Sequence, residues 1–315
     1  MNRTGVLFPG FYPGSSLPPD PAVLTTAARA AERAGFDGFW VPERVTGLVS
    51  DPVVALAYAA AVTGGIGLGT AVLTLPGRPP ALLAKQLASL DRVSGGRLTV
   101  ALGLGRADPA EQQAFGVRRT DRAALFDEAL PLLRGLWRDD PVTHEGAAAR
   151  YEDLAVLPKP ARPGPALWLG GASDAQLRRA GRLADGWLGA STTTPRAAER
   201  ARTVIAAAAA RAGRAIGDDG YGSVVPYRRR DEPLGPVQRM VLDRLRAERV
   251  VGSVEEFAPT LDLLPERLRA LAAAGLSTFV LVPFAEPADW EEELSALAGA
   301  VLTARTPRRP AATSG

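Results

Sequence analysis

The 315-residue chain has no cysteine and one histidine, His144. Without thiols there are no disulfides, cysteine nucleophiles, zinc–cysteine sites or iron–sulfur clusters. One imidazole excludes a multi-histidine metal centre and most histidine-based triads, so no metal is expected. Long apolar runs are also missing. None reaches the roughly 18–20 residues of a membrane span, and the N-terminus enters a strand almost at once, with no signal-peptide pattern. A cytoplasmic protein without a membrane partner is the expectation. An excess of one charge is lacking too: 37 basic side chains face 34 acidic ones, for a net charge of +3. No basic tract is present to follow a phosphate backbone, so nucleic acid is not an expected partner. What remains, 46% hydrophobic and 23% charged residues, is an ordinary globular composition.

The most informative stretch is residues 66–106, IGLGTAVLTLPGRPPALLAKQLASLDRVSGGRLTVALGLGR. Residues 66–73 and 97–104 are apolar runs, and the second follows the turn pair Gly95-Gly96. Between them, Leu82, Leu83, Leu87 and Leu90 recur at helical spacing. Two apolar strands joined through a helix form a βαβ unit and imply a parallel sheet. The same alternation runs along the chain. Strands are expected at residues 4–8, 38–41, 166–169, 186–188, 222–227 and 278–283. Helices are expected at 21–34, 52–62, 120–137 (with Pro131 inside), 174–183, 195–212 and 289–304. Asp20 and Asp51 stand as N-caps before Pro21 and Pro52. Ser253 and Glu256 form a capping-box pattern opening a proline-interrupted helical stretch to residue 274. Residues 107–119 read as an acidic-polar loop. The proline-rich segment 141–165, with a hairpin over 142–154, reads as an insertion, because the alternation resumes after it. Eight strands, each followed by a helix, give the α/β class and a (β/α)₈ barrel with an insertion between helix 4 and strand 5. The expected organisation is one domain over residues 1–305 and a disordered tail over 306–315.

In such a barrel the site lies at the C-terminal ends of the strands. Glu43 and Arg44 leave the second strand. A carboxylate there can serve as acid or base and an arginine can hold an anion; from the residues alone a rim salt bridge is the readier account. Thr70, Ala71 and Val72 include small residues that let a flat ring lie against the backbone, or simply pack the barrel. Gly105 and Arg106 end the fourth strand, with Arg106 either clamping a phosphate or solvated. Gly170, Gly171, Ala172 and Ser173 lie between a strand and a helix. Their spacing fits backbone N–H groups approaching an anion as well as an ordinary turn with an N-cap. His144, in the insertion, is expected to make a structural hydrogen bond.

Taken together, ERAGFDGFWVPE (32–43), the 66–105 stretch, FDEALPLLRGLW (126–137), YEDLAVLPKP (151–160) and LWLGGASDAQLRRAGRLADGWL (167–188) make the chain resemble the bacterial luciferase-like flavin and deazaflavin oxidoreductases. The resemblance implies a TIM-like barrel holding coenzyme F420 or, alternatively, FMN. It implies a non-prolyl cis peptide at Ala71-Val72 behind the cofactor ring. It also implies cofactor contacts from Phe8, Thr70, Ala71, Val72, Gly105 and Arg106, with the phosphate near Gly170, Gly171, Ala172 and Ser173. Many F420-using relatives carry a histidine where this chain has Arg44, and an arginine stays protonated and is no general base. The implied activity is hydride transfer between the deazaflavin C5 and a small organic substrate, with Glu43 and Arg44 as the catalytic pair. The alternatives are an FMNH₂-dependent monooxygenase using O₂ with a partner flavin reductase, and a non-catalytic cofactor-binding relative. The family also implies a homodimer.

Overall fold

The computed structural model describes residues 2–8, 20–161 and 164–302. The loop expected around residues 11–19 and the tail expected at 306–315 lie outside the described residues. Eight parallel strands close a barrel: β1 (Arg3–Leu7), β2 (Gly38–Val41), β3 (Gly67–Thr74), β4 (Leu98–Gly103), β7 (Ala166–Gly170), β8 (Gly186–Gly189), β9 (Tyr221–Tyr227) and β10 (Thr278–Pro283). Each pairs with its sequence neighbour in the barrel, and β1 pairs with β10 to close it. The insertion is an antiparallel hairpin, β5 (Val142–Glu145) with β6 (Arg150–Leu154). His144 there bonds through Nε2 to Glu128 Oε1 at 2.8 Å, the structural role expected of it.

Around the barrel run α1 (Pro21–Arg33), α2 (Pro52–Val62), α3 (Pro80–Val93), α4 (Pro109–Phe115), α5 (Arg122–Arg138), α6 (Asp174–Leu183), α7 (Pro195–Arg211), α8 (Pro236–Ala247), α9 (Val254–Phe257), α10 (Leu264–Ala273) and α11 (Trp290–Val301). Aspartate caps followed by proline start several of them: Asp20 accepts from Ala22 N–H, and Asp51 from Val53 and Val54 N–H. Proline suits that first position because its missing N–H would have no partner there anyway. α5 runs continuously through Pro131.

Three helical features differ from the sequence expectation. The segment read as an acidic-polar loop contains α4, capped by Asp108 and ended by Gly116 at φ 63°; seven residues are too few to show a period. α8 has no counterpart in the sequence reading. It is arginine-rich, and only a narrow stripe of Val241, Leu242 and Leu245 packs inward. The proline-interrupted stretch after Ser253 is broken more widely than expected, into α9 and α10, and the chain between them turns back to the barrel. There the Arg228 N–H donates to the Pro259 carbonyl at 2.9 Å.

The barrel interior is filled by two indoles. Trp40 from β2 and Trp168 from β7 lie with ring centroids 6.3 Å apart. Leu7, Ala71, Ala101, Leu188, Val224 and Val280 surround them. Room for the indoles comes from glycines on neighbouring strands. A Cβ at Gly5 or Gly38 would stand 2.6 or 2.7 Å from Trp40 Nε1, and one at Gly186 would stand 2.5 Å from Trp168 Cε2. A Cβ at Gly69 would overlap the Trp40 ring outright. Outside the barrel a second, larger core fills the space between strands and helices.

The start of β3 is tied to α1 by Glu32, whose Oε1 accepts the N–H groups of Gly65 and Ile66 at 2.6 and 3.0 Å, with Gly64 also donating. Burial alone would raise the Glu32 carboxyl, but these donors and Arg97 bring it below its ordinary 4.5.

Two predictions follow from this packing. Gly69→Ala should lower unfolding stability by about 1–3 kcal/mol, the usual range for overpacking a filled core, read as a lower denaturant midpoint. Glu32→Gln should lower the melting temperature at pH 7. Because the folded pKa is depressed, the wild type's advantage should be full above the ordinary value of 4.5 and shrink as pH falls through the lowered one. Melting curves from pH 7 down to acid check the sign.

Candidate active site

At the C-terminal end of the barrel, β3 departs from regular pairing. Its register against β4 shifts between Ala71 and Leu73, and the Ala71–Val72 peptide is cis, as the resemblance implied. The shift turns the Val72 side chain over its neighbours: a Cβ at Gly103 would come 2.7 Å from Val72 Cγ2, and one at Gly170 3.0 Å from Val72 Cγ1. Thr70 is fully buried and donates its hydroxyl to the Ala101 carbonyl of β4 at 2.8 Å, which fixes the strand leading into the bulge.

Above the bulge lies a hollow of about 170 Å³ whose walls include Ala71, Val72, Gly170, Gly171, Gly189 and Ala190. Small residues at the ends of three strands keep much of its wall low, with Val72, Leu188 and Val224 as its larger side chains. Such a surface can take a planar ring at close range. Gly171, at φ 115°, accepts a hydrogen bond on its carbonyl from Trp187 Nε1 at 2.8 Å. Ala172 and Ser173 continue into α6. Ser173 is its N-cap, and Gln176 closes a capping box by accepting from the Ser173 N–H at 3.2 Å. The Ser173 side chain therefore performs the turn-and-cap role here, beside exposed Ala172.

The hollow adjoins a larger one of about 370 Å³, and both are lined by Ser191 and Val224. One wall of the larger cavity is barrel, the other is α8 with Met240, Val241 and Leu245. Phe257 and Phe284, ring centroids 5.2 Å apart, close its side. Arg44, Arg106, Arg244 and Glu248 supply its charge. Arg244 is paired with Glu248 at 2.9 Å. Burial and then the neighbouring Arg44 guanidinium push the Arg106 pKa down. A further concavity of about 550 Å³ lies outside the mouth at the ends of β9 and β10. Its arginines are ion-paired: Arg228 with Asp231 and Glu255, Arg229 with Glu292, and Arg230 with Glu232.

The candidate residues thus divide. Ala71, Val72, Gly170 and Gly171 meet around one hollow, and Arg44 and Arg106 around the next. Gly105, at φ 82°, sits behind them against Thr74 and Arg122; Arg122 Nη1 donates to the Arg106 carbonyl at 2.5 Å. Glu43 lines neither hollow. Its side chain is 4% exposed and ion-paired with Arg78, and its Oε2 accepts from Thr74 N–H at 2.7 Å. Arg78 in turn donates to the Thr74 carbonyl at 2.9 Å. Glu43 is therefore a tie between the end of β2 and the residues just past the bulge. Burial pushes its carboxyl up, against the opposing pull of Arg78 and Thr74. Phe8 turns to the helix layer, with ring centroids 5.5 Å from Phe39 and 4.9 Å from Trp290. It packs the outer core and lines neither hollow.

Sequence reasoning missed Ser191, Gly189 and Ala190, which a stricter reading of the end of β8 would have found. It also missed Met240 and Arg244, which come from a helix inserted after β9 and carry no strand-end signal.

The family model described as luciferase-like monooxygenase matches residues 2–227. An uncharacterised protein of Mycobacterium tuberculosis is 34% identical over 193 residues, 54% of this chain and 67% of that protein. The F420-dependent glucose-6-phosphate dehydrogenase of Kineococcus radiotolerans is 32% identical over 178 residues, 53% of this chain, so the alignment spans only 52% of that relative. Among solved structures, the monooxygenase RslO1 from Streptomyces bottropensis superposes with a TM-score of 0.77 at 25% identity, covering 95% of this chain and 98% of that one. An F420-dependent secondary alcohol dehydrogenase in complex with an F420–acetone adduct gives a TM-score of 0.76 at 17% identity, over 97% and 99% of the two chains; at that identity the likeness is one of fold.

Glu43→Gln keeps an acceptor for Thr74 but leaves Arg78 without its partner. It should lower stability by about 1–3 kcal/mol, less than a fully buried pair because Arg78 stays partly solvated. The pH profile of turnover should keep its wild-type shape, since a tie, unlike an acid or base, adds no limb to that profile.

Proposed function

Because the chain belongs to the luciferase-like monooxygenase family, we propose that it is an oxidoreductase that uses coenzyme F420 to transfer a hydride to or from a small organic substrate. The observation that carries this reading is the hollow walled by glycine and alanine over the Ala71–Val72 bulge, sharing Ser191 and Val224 with a larger, mostly apolar chamber. The residues there fit a flavin-type group. Ala71, Gly170, Gly171, Gly189 and Ala190 keep the walls of the hollow low, and glycine at 103 and 170 makes room for the Val72 side chain that borders it. The likeness to a relative named as F420-dependent supports the deazaflavin over FMN.

In this reading Ala71 and Val72 back the cofactor ring, and Gly170, Gly171, Ala172 and Ser173 receive its phosphate at the N-terminus of α6, where backbone N–H groups favour an anion. When bound, the deazaflavin supplies C5 as the carbon that carries the hydride. The chain's own part is to bind, orient and exclude water. Phe257, Phe284 and the apolar face of α8 form the dry side of the chamber. Arg44 and Arg106 stay charged and serve as anchors, while Glu43 holds the bulge in register with the end of β2.

A second reading, an FMN-dependent monooxygenase supplied by a separate reductase, is supported by the 25% identity to RslO1 over nearly the whole chain. Titration of the purified protein with each cofactor separates the two. Saturable binding of F420, tighter than that of FMN by about tenfold or more, is the expected result. Tight binding of FMN with none of F420 would replace the first reading by the second.

A further inference from the structure

The chamber between α8 and the barrel mouth has a composition that specifies more than a cofactor enzyme. Its walls are largely apolar, with Val224, Val241, Leu245, Phe257, Val282 and Phe284, and the Arg244–Glu248 pair of α8 is self-contained. Its volume of about 370 Å³ is at the lower end for small-molecule sites. Into this apolar space two guanidinium groups project without a carboxylate partner. The Arg44 Nε is buried and makes no hydrogen bond among the described residues. Arg106 likewise forms no ion pair among them.

Of the acidic groups nearby, Glu111 and Asp108 offset part of the Arg106 charge through space, but none forms an ion pair with either arginine among the described residues, and each is held by another partner. Glu111 accepts from the Thr46 N–H and hydroxyl at 3.2 and 2.9 Å. Asp108 caps α4 through the Ala110 N–H at 2.8 Å. Glu43 is taken by Arg78 and Thr74, and Glu248 by Arg244. Two cations held near each other in a partly desolvated pocket, with a donor unused, are costly unless an anion joins them. Burial and Arg44 push the Arg106 pKa down, and Glu111 and Asp108 only partly oppose them.

We propose that the substrate bound here is a small organic anion, an apolar body bearing one carboxylate, with Arg44 and Arg106 holding the carboxylate and the α8 wall covering the body. The assignment of this ligand as substrate rests on the reading above, in which the adjoining hollow over the bulge holds the reactive ring. The shared entry at Ser191 and Val224 sets substrate and ring side by side. An anionic arm of the cofactor itself would satisfy the same two arginines, and the experiment distinguishes these sources.

The probes are 4-phenylbutyrate, 4-phenylbutan-1-ol and 4-phenylbutylamine, which share a body and differ in charge. Each is titrated calorimetrically into the full chain, first alone and then with F420 at saturation. The carboxylate should bind at least about tenfold more tightly than the alcohol, with the amine weakest, as expected for charge-assisted hydrogen bonds. Arg44→Met and Arg106→Met should each remove most of that preference, and Arg44→Lys should restore part of it. The preference should persist with cofactor bound. Equal affinity for carboxylate and alcohol would overturn the proposal, as would a preference that survives both methionine variants. Competitive displacement of the carboxylate by F420 would overturn it in favour of the cofactor's own arm. Failure of wild type to bind F420 in a titration without these probes would strike only the cofactor reading, because carboxylate selectivity is measured in its absence.

Discussion

The architecture depends on one steric bargain inside the barrel. Two indoles occupy a space that eight strands would otherwise fill with aliphatic side chains, and they fit only because facing positions carry no Cβ. Trp40 lies against Gly5, Gly38 and Gly69, and Trp168 against Gly186 and Gly222. Close packing makes such complementarity strict, since an interior at crystal-like density has no slack for an added methyl group. The consequence reaches the mouth. With the lower barrel plugged by rigid aromatic groups, the upper strand ends can be lined by glycine and alanine without collapse. The hollow above the bulge is therefore floored by the same packing that fills the barrel.

Charge at the mouth is sorted by partner. Arg78 is spent on Glu43, Arg244 on Glu248, and Arg122 on the Arg106 carbonyl. The first and last fix loops that border the site, and the second runs along the exposed face of α8. Arg44 and Arg106 remain over, facing an apolar chamber. A guanidinium cannot shed its proton to relieve burial, so the imbalance is preserved until a ligand answers it. The same sorting separates two adjacent residues: Glu43 holds the backbone, and Arg44 lines the chamber.

Particular residues show how much was readable in advance. The βαβ period of residues 66–106, the eight-strand count and the hairpin insertion all follow from local patterns, and the closed barrel has them. Ala71–Val72 was reached through family likeness, with no local signal of its own beyond small size. His144 lies far from any barrel strand end, which is enough to point to a structural bond. The partners of the charged residues were not readable. Glu43 and Arg78 are 35 positions apart, and nothing in either segment announces the pairing. Phe8 sits at a strand end, yet it turns toward Trp290 near the other end of the chain. α8 was hidden because its apolar stripe is narrow and its surface is dominated by arginine.

By itself, then, the sequence determined the alternation of strand and helix, the caps that begin the helices, and the exclusion of thiol and multi-histidine metal chemistry. These are set by composition and by contacts a few residues apart. Tertiary structure decided which strand-end residues face the mouth, which carboxylates are consumed by neighbouring arginines, and that a helix arriving after the seventh barrel strand walls the chamber. Those outcomes depend on side-chain direction and on charges meeting across long separations, and only closure of the barrel brings such groups within bonding distance.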